Sequence, residues 1–294
     1  MHNPAVVRFF HGFDDLHRLL GDFDRRMHRR AQEDGGDSAI GLGKAIALRT
    51  DLPQLVIPTT YAGSEMTPVV GQTEAGKKTT QRSMKVLPEA VIYDVELTLG
   101  LPVPVSVTSG FNAMAHAVEA LYARAPTPLL LAIAEDCVRG MGHALPRIVR
   151  DPTDEAARSD ALGAAWQGGW SLASGGSALH HRLCHILGGA FGLPHAETHT
   201  ILLPHVLAYN APATPEAIDR LERALDAEHP ADALFDLAQS LGAPSALKDI
   251  GMPEDGIARA VEIVLAEPAW NPRPLEEKAL AAMLRHAWAG RRPG

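Results

Sequence analysis

Residues 178–199, ALHHRLCHILGGAFGLPHAETH, hold five histidines in twenty-two positions. Imidazole can ligate a divalent cation as a neutral base, or move protons near neutral pH as an acid–base pair. His181 and His185 stand four residues apart, so on a helix both leave one face a turn apart, while His180 points elsewhere. Gly188 and Gly189 can end that helix, and Pro194 suits the first turn of the next, whose His195 and His199 are again four apart. A third pair lies upstream in GFNAMAHAVEA. There Asn112 and His116 share the same spacing on an otherwise apolar helix, where polar groups are costly unless satisfied. Three readings compete. The rings could be ordinary core or surface histidines, ligands of a divalent metal held between facing helices, or a metal-free site that holds an anionic oxygen and moves protons.

The elements that must position these rings change texture along the chain. Up to about Val103, short β-branched runs broken by Gly and Pro, such as QLVIPTTYAGSE and AVIYDVELT, read as buried strands followed by turns. From Ser106 onward, long stretches with helical period dominate, including SGFNAMAHAVEALYA, TPEAIDRLERALDA and LEEKALAAMLRHAWAG. The expected architecture is an incomplete dinucleotide-binding α/β domain over 1–103 followed by an all-helical catalytic domain over 104–294. The run DRRMHRRAQED reads as a solvated helix face.

Bulk properties narrow the setting. The 294 residues include 27 basic and 35 acidic side chains, for a formal charge of −8, which disfavours nonspecific attraction to nucleic acid or anionic membrane. Two cysteines, Cys137 and Cys184, make no disulfide framework, and no long apolar run marks a membrane span. A reducing cytoplasm and a small-molecule substrate are the expectation.

The pattern His181, His185, then GGAFGLPH ending at His195 resembles the signature of the iron-containing alcohol dehydrogenase family. DGGDSAIGLGKAIAL is similar to that family's glycine-rich phosphate loop, and PTTYAGSEMT to its nicotinamide-proximal turn. Longer stretches from about Gly35 to the C-terminus, among them SVTSGFNAMAHAVEALYAR and ILLPHVLAYNAPA, resemble the maleylacetate reductase branch of the family. The resemblance implies a dehydroquinate synthase-like fold, a Rossmann-like part followed by helices, and a homodimer. It also implies NADH or NADPH as cofactor. Gly35, Gly36 and Ser38 would meet the pyrophosphate at a helix N-terminus, with Lys44 reaching phosphate or ribose. Thr59, Thr60 and Ser64 would line the nicotinamide turn, and Lys85 would stand on the cofactor side.

Three departures from the family pattern matter. Only 34 residues precede Gly35, fewer than a dinucleotide-binding half requires, so the N-terminal segment is expected to be shortened or replaced. The third glycine of the phosphate loop is here Asp37, whose carboxylate would repel phosphate. Asn112 stands where metal-binding relatives carry Asp, which takes the anionic member out of a site whose ligands would be His116, His181 and His195. A metal-free site is therefore expected. The resemblance implies reduction of the maleylacetate C=C bond to give 3-oxoadipate. His116, His181 and His195, some protonated, would surround the developing enolate oxygen, His185 would deliver a proton to the α carbon, and Asn112 would orient. Arg124, Arg182 and Lys85 are candidates for the substrate carboxylates. The alternatives are a metal-dependent short-chain alcohol dehydrogenase of the same fold and a catalytically inactive remnant.

Overall fold

Along the chain the strands come first. The computed structural model describes residues 6–10, 36–74, 77–266 and 270–294. The charged run at 24–34 and Gly35 lie outside the described residues. A parallel sheet of three strands has the order β1 (Val6–Phe10), β5 (Ala90–Asp94), β2 (Leu55–Val56). VVRFF thus forms an end strand, with Val6 opposite Ala90 and Phe10 opposite Asp94. Helix α1 (Gly36–Thr50) precedes β2, and a hairpin of β3 (Val69–Glu74) and β4 (Lys77–Arg82) separates β2 from β5.

Every helix after β5 belongs to the C-terminal part. They are α2 (Val103–Leu121), α3 (Pro128–Arg150), α4 (Glu155–Gly175), α5 (Leu179–Phe191), α6 (His195–Asn210), α7 (Pro215–Leu225), α8 (Pro230–Ser240), α9 (Gly256–Ala266) and α10 (Glu277–Ala289). Helix α2 is largely apolar around its circumference, as suits a helix that runs through a core. From Ser106 to Leu121 it is buried throughout, against α3, α4 and α6. Two apolar cores result. One gathers α2, α3 and α4, while the other joins α5, α9 and α10. Helix α6 serves both, giving Leu203 and Leu207 to the first and Ile201, Leu202 and Val206 to the second. Polar side chains that α2, α5 and α6 turn towards each other at this junction are therefore enclosed.

Helix α5 does not stop at Gly188 and Gly189, as the glycines suggested. It runs through both and ends at Phe191, where Gly192 takes the left-handed conformation at φ 68° that a C-terminal cap needs. Pro194 caps α6, so His195 opens the helix.

Candidate active site

Asn112, His116 and Glu119 lie at i, i+4 and i+7 on α2, a polar stripe along one face of an otherwise apolar helix. Glu119 is fully buried, and its two carboxylate oxygens are committed. One accepts from the His180 N–H at 2.7 Å; the other accepts from the Ala178 N–H at 2.8 Å and lies 2.6 Å from His181 Nδ1. Burial pushes this carboxyl up, but the adjacent His181 ring, the His180 ring and the Ala178 N–H outweigh it, leaving the pKa below the usual carboxylate range. An ionised Glu119 fixes the proton of His181 on Nδ1 and aims Nε2 away from the carboxylate. It also caps the start of α5, whose first N–H groups have no partner within the helix.

The rings form one connected group. His116 stacks on His181 with centroids 4.9 Å apart, and His199 sits 4.9 Å from His181 and 6.5 Å from His116. His195 lies 4.4 Å from His199, and His185 stacks on His195 at 5.8 Å. The four expected rings, 116, 181, 185 and 195, are thus brought together, but it is His199 that links the buried pair to the outer pair. His180 does not point elsewhere as the helical wheel suggested. Its Nε2 is 3.0 Å from His199 Nδ1, behind the first group.

Burial sorts the rings by charge. Desolvation first, then neighbouring His181, His180 and His195 and the Lys44 ammonium, holds His116 well below the ordinary imidazole value. Burial does the same to His199, reinforced by His195, and takes His180 down to about 3. These three rings are neutral near neutral pH, so His116 is not among the imidazoles that bring positive charge to the pocket. His195 is exposed and His185 half-buried, so those two face the solvent side.

Among the described residues, the buried atoms without a hydrogen-bond partner include Asn112 Oδ1, His116 Nδ1, His180 Nδ1, His181 Nε2 and His199 Nε2 of this group. Such atoms are rare in a finished core and mark a place for a ligand. Asn112 Oδ1, His116 Nδ1 and His181 Nε2 are neutral donors of the kind a divalent cation takes, with Glu119 behind His181 as an outer carboxylate, whereas the third expected ligand, His195, is exposed and lies against His185 and His199. The donor set has no anionic member, because position 112 is Asn.

The turn PTTYAGSEMT at residues 58–67 is braced by buried groups of α1, α2 and α4. Lys44 is only 2% exposed, and its ammonium does not extend towards phosphate as expected from the sequence. It donates to the carbonyls of Ser64, Thr67 (2.7 Å) and Val69 (3.0 Å) and to Thr67 Oγ1 (2.8 Å). Gly63 adopts φ 80°, and a Cβ on Gly169 of α4 would sit 2.0 Å from its carbonyl oxygen, so both positions require glycine. The Tyr61 N–H donates to Ser109 Oγ at 3.2 Å, and the fully buried Arg158 donates to Tyr61 Oη, Ser106 Oγ and the Leu101 and Pro152 carbonyls. Thr59 is half-buried and Thr60 buried, while Ser64 Oγ is buried with no partner.

Gly36 begins α1 and Ser38 falls in its first turn, the place for an anion. Lys85 is not brought there. It is exposed and paired with Asp51 at 3.1 Å, beyond the C-terminal end of α1. A helix of that length sets it about 20 Å from the N-terminus of α1. Arg124 lies over the Trp270 ring at 5.7 Å, and Arg182 is half-buried on α5.

The profile of the Fe-containing alcohol dehydrogenase family, C-terminal, matches residues 106–288, which hold α3 to α9 whole and nearly all of α2 and α10. The chain belongs to this family. Its relatives include a maleylacetate reductase of Sphingobium indicum, 52% identical over 88% of this chain and 74% of that protein. The crystal structure of maleylacetate reductase from Rhizobium sp. strain MTP-10005 superposes with a TM-score of 0.84 at 52% identity, covering 88% of this chain and 73% of that one. An iron-containing alcohol dehydrogenase from Corynebacterium glutamicum gives a TM-score of 0.83 at 40% identity, over 96% of this chain and 87% of that one. The Fe-containing alcohol dehydrogenase assignment fixes the fold as a Rossmann-like α/β part followed by an α domain.

Proposed function

We propose that the chain is a maleylacetate reductase, an NAD(P)H-dependent oxidoreductase acting on the C=C bond of maleylacetate to give 3-oxoadipate. The observation that carries this reading is the enclosed imidazole group on α2, α5 and α6, with Asn at position 112, in a chain about half identical to maleylacetate reductases. Residues 1–103 are taken as the cofactor-side domain and 104–294 as the catalytic one. Gly35, Gly36 and Ser38 would hold the pyrophosphate. Thr59, Thr60 and Ser64 would hold the carboxamide side, on a turn that Lys44 positions without touching the cofactor.

Bound NADH or NADPH supplies the hydride for the alkene carbon β to the ketone. The protein's part is to hold the negative oxygen that results and to place a proton on the α carbon. His116, neutral and with its proton on Nδ1, donates to that oxygen. His181 reaches it through Nε2; a proton there makes an imidazolium whose charge Glu119 balances across the ring. Asn112 orients the ligand beside them. His185, half-buried and stacked on the exposed His195, delivers the α proton and is reloaded from solvent. Arg124 and Arg182 remain the candidates for the substrate carboxylates, whereas Lys85 is occupied with Asp51.

A divalent ion held by Asn112, His116 and His181 would supply Lewis-acid polarisation of the ketone oxygen. We propose that the reaction does not require one, because every donor at that point is neutral. The second reading, a metal-dependent short-chain alcohol dehydrogenase, is favoured by the three orphaned donor atoms and by the likeness to the Corynebacterium protein. The proposal extends to aromatic-compound catabolism, a cytoplasmic setting and a homodimer; no helix among the described residues is long and apolar enough to cross a membrane. The test mixes the purified chain with NADH or NADPH and maleylacetate, following cofactor oxidation and identifying the product. Formation of 3-oxoadipate is expected. Reduction of NAD⁺ by a short-chain alcohol, with maleylacetate inert, would favour the second reading. An absence of NADH binding would leave the inactive remnant.

A further inference from the structure

Behind the rings that face the ligand lies a second group of ligating atoms, and it contains the sulfur that the first lacks. His180 and Cys184 stand four residues apart on α5, so both leave one face of that helix a turn apart. Cys184 Sγ is 3.7 Å from His180 Nε2, which is itself 3.0 Å from His199 Nδ1 on the facing helix α6. The three ligand atoms lie within 4.8 Å of one another, and all three residues are buried.

We propose that His180, Cys184 and His199 form a metal site of their own, for a thiophilic divalent cation such as Zn²⁺. Zinc bonds of about 2.0–2.1 Å to nitrogen and about 2.3 Å to sulfur, in tetrahedral geometry, set ligand atoms about 3.3 Å (N to N) and about 3.6 Å (N to S) apart. The His180 to Cys184 separation already matches. The His180 to His199 separation opens by a few tenths of an ångström when a cation takes the place of the shared proton.

Proton bookkeeping is simple at this site. Each ring stays neutral and keeps one proton on its far nitrogen, Nδ1 of His180 and Nε2 of His199, neither of which has a partner to lose. Cys184 gives up its thiol proton, so one proton leaves for each ion that binds. On the solvent side of this group the exposed His195 ring lies 4.4 Å from His199. The fourth coordination position falls to an exogenous ligand. Cys137, the other cysteine, instead lies beside the main-chain carbonyls of Ala113 and Ala164, so it serves as an internal control.

Cobalt(II) distinguishes this site from the one at Asn112, His116 and His181, since only a thiolate ligand produces a near-ultraviolet sulfur-to-cobalt charge-transfer band. Titration of the full chain with cobalt in weak buffer is expected to develop that band to one ion per chain, with one proton released per ion and displacement by zinc. Cys184→Ser is expected to lose the band, and His116→Ala to keep it. Circular dichroism checks that Cys184→Ser folds. If it does not, His199→Gln is expected to weaken cobalt binding by at least about tenfold. Cobalt spectra without the sulfur band, a band that survives Cys184→Ser, or a folded His199→Gln with unchanged affinity would each overturn the proposal. None of these readouts depends on reductase activity.

Discussion

Replacing Glu119 by Gln changes one atom in a place where three donors converge. The carboxylate accepts from the Ala178 and His180 N–H groups and from His181 Nδ1 at 2.6–2.8 Å. A glutamine side chain has one oxygen instead of two, so its NH₂ must face either the His180 N–H or the pair formed by Ala178 N and His181 Nδ1. In the first arrangement two donors confront each other. In the second His181 has to accept from the amide, which moves its proton to Nε2 and leaves a neutral ring with no carboxylate to balance an imidazolium. Hydrogen bonds to a charged group contribute about 1.5–3 kcal/mol each, and a buried donor left unpaired costs about 1–3 kcal/mol. Losing one of the first kind and orphaning one of the second gives a net destabilisation of about 3–5 kcal/mol. A change of that size lowers the thermal midpoint by roughly 10 °C in a chain of this length. Because the ring loses its outer carboxylate, kcat for maleylacetate reduction should fall by about ten- to a hundredfold beyond any loss of folded protein. Differential scanning calorimetry and steady-state NADH oxidation on the folded fraction measure the two effects separately. A Glu119→Gln variant with wild-type midpoint and wild-type kcat would refute the role assigned to this carboxylate.

Lys44→Met should raise the KM for NADH more than it lowers kcat, and should destabilise by about 3 kcal/mol, because the acceptors of Ser64, Thr67 and Val69 lose a buried ammonium; an unchanged KM would contradict this. Gly169→Ala places a methyl group 2.0 Å from the Gly63 carbonyl oxygen, so the turn must move. A cost of about 1–3 kcal/mol or more and weakened NADH binding are expected from urea titration and fluorescence. Stability should also fall with acid. His180 is held at about 3 in the fold against 6.5 when unfolded, so between those values the unfolded chain binds one more proton, costing about 1.4 kcal/mol per pH unit below 6.5. His116 and His199 act in the same direction, and a urea midpoint that does not drop between pH 7.5 and pH 5.5 would contradict the burial of these rings.

Residue spacing carried much of this site. Histidines four apart on helices announce shared faces, and the switch from β-branched runs to helical periods divides the elements near Val103. Spacing assigns faces within one helix, though, and says nothing of which faces meet. His180 and His199 join the cluster because α6 lies between two apolar cores and turns several of its faces inward. Glu119 carried a readable signal, an acid completing the i, i+4, i+7 stripe of Asn112 and His116 on an apolar helix. Lys44 did not. On α1 the usual order is inverted, with Leu42 and Ile46 exposed at 64% and 47% and the lysine enclosed, and only the tertiary position of the turn explains that inversion. The two glycines in α5 misled because glycine ends a helix only where the chain turns left-handed, which here happens at Gly192.

The most direct test of the imidazole-based reduction is kcat for maleylacetate with chelator-treated wild type beside His185→Ala. Wild type should keep full turnover after chelation, and the variant should lose at least about a hundredfold of it. Turnover abolished by the chelator, or undiminished in His185→Ala, would contradict the account.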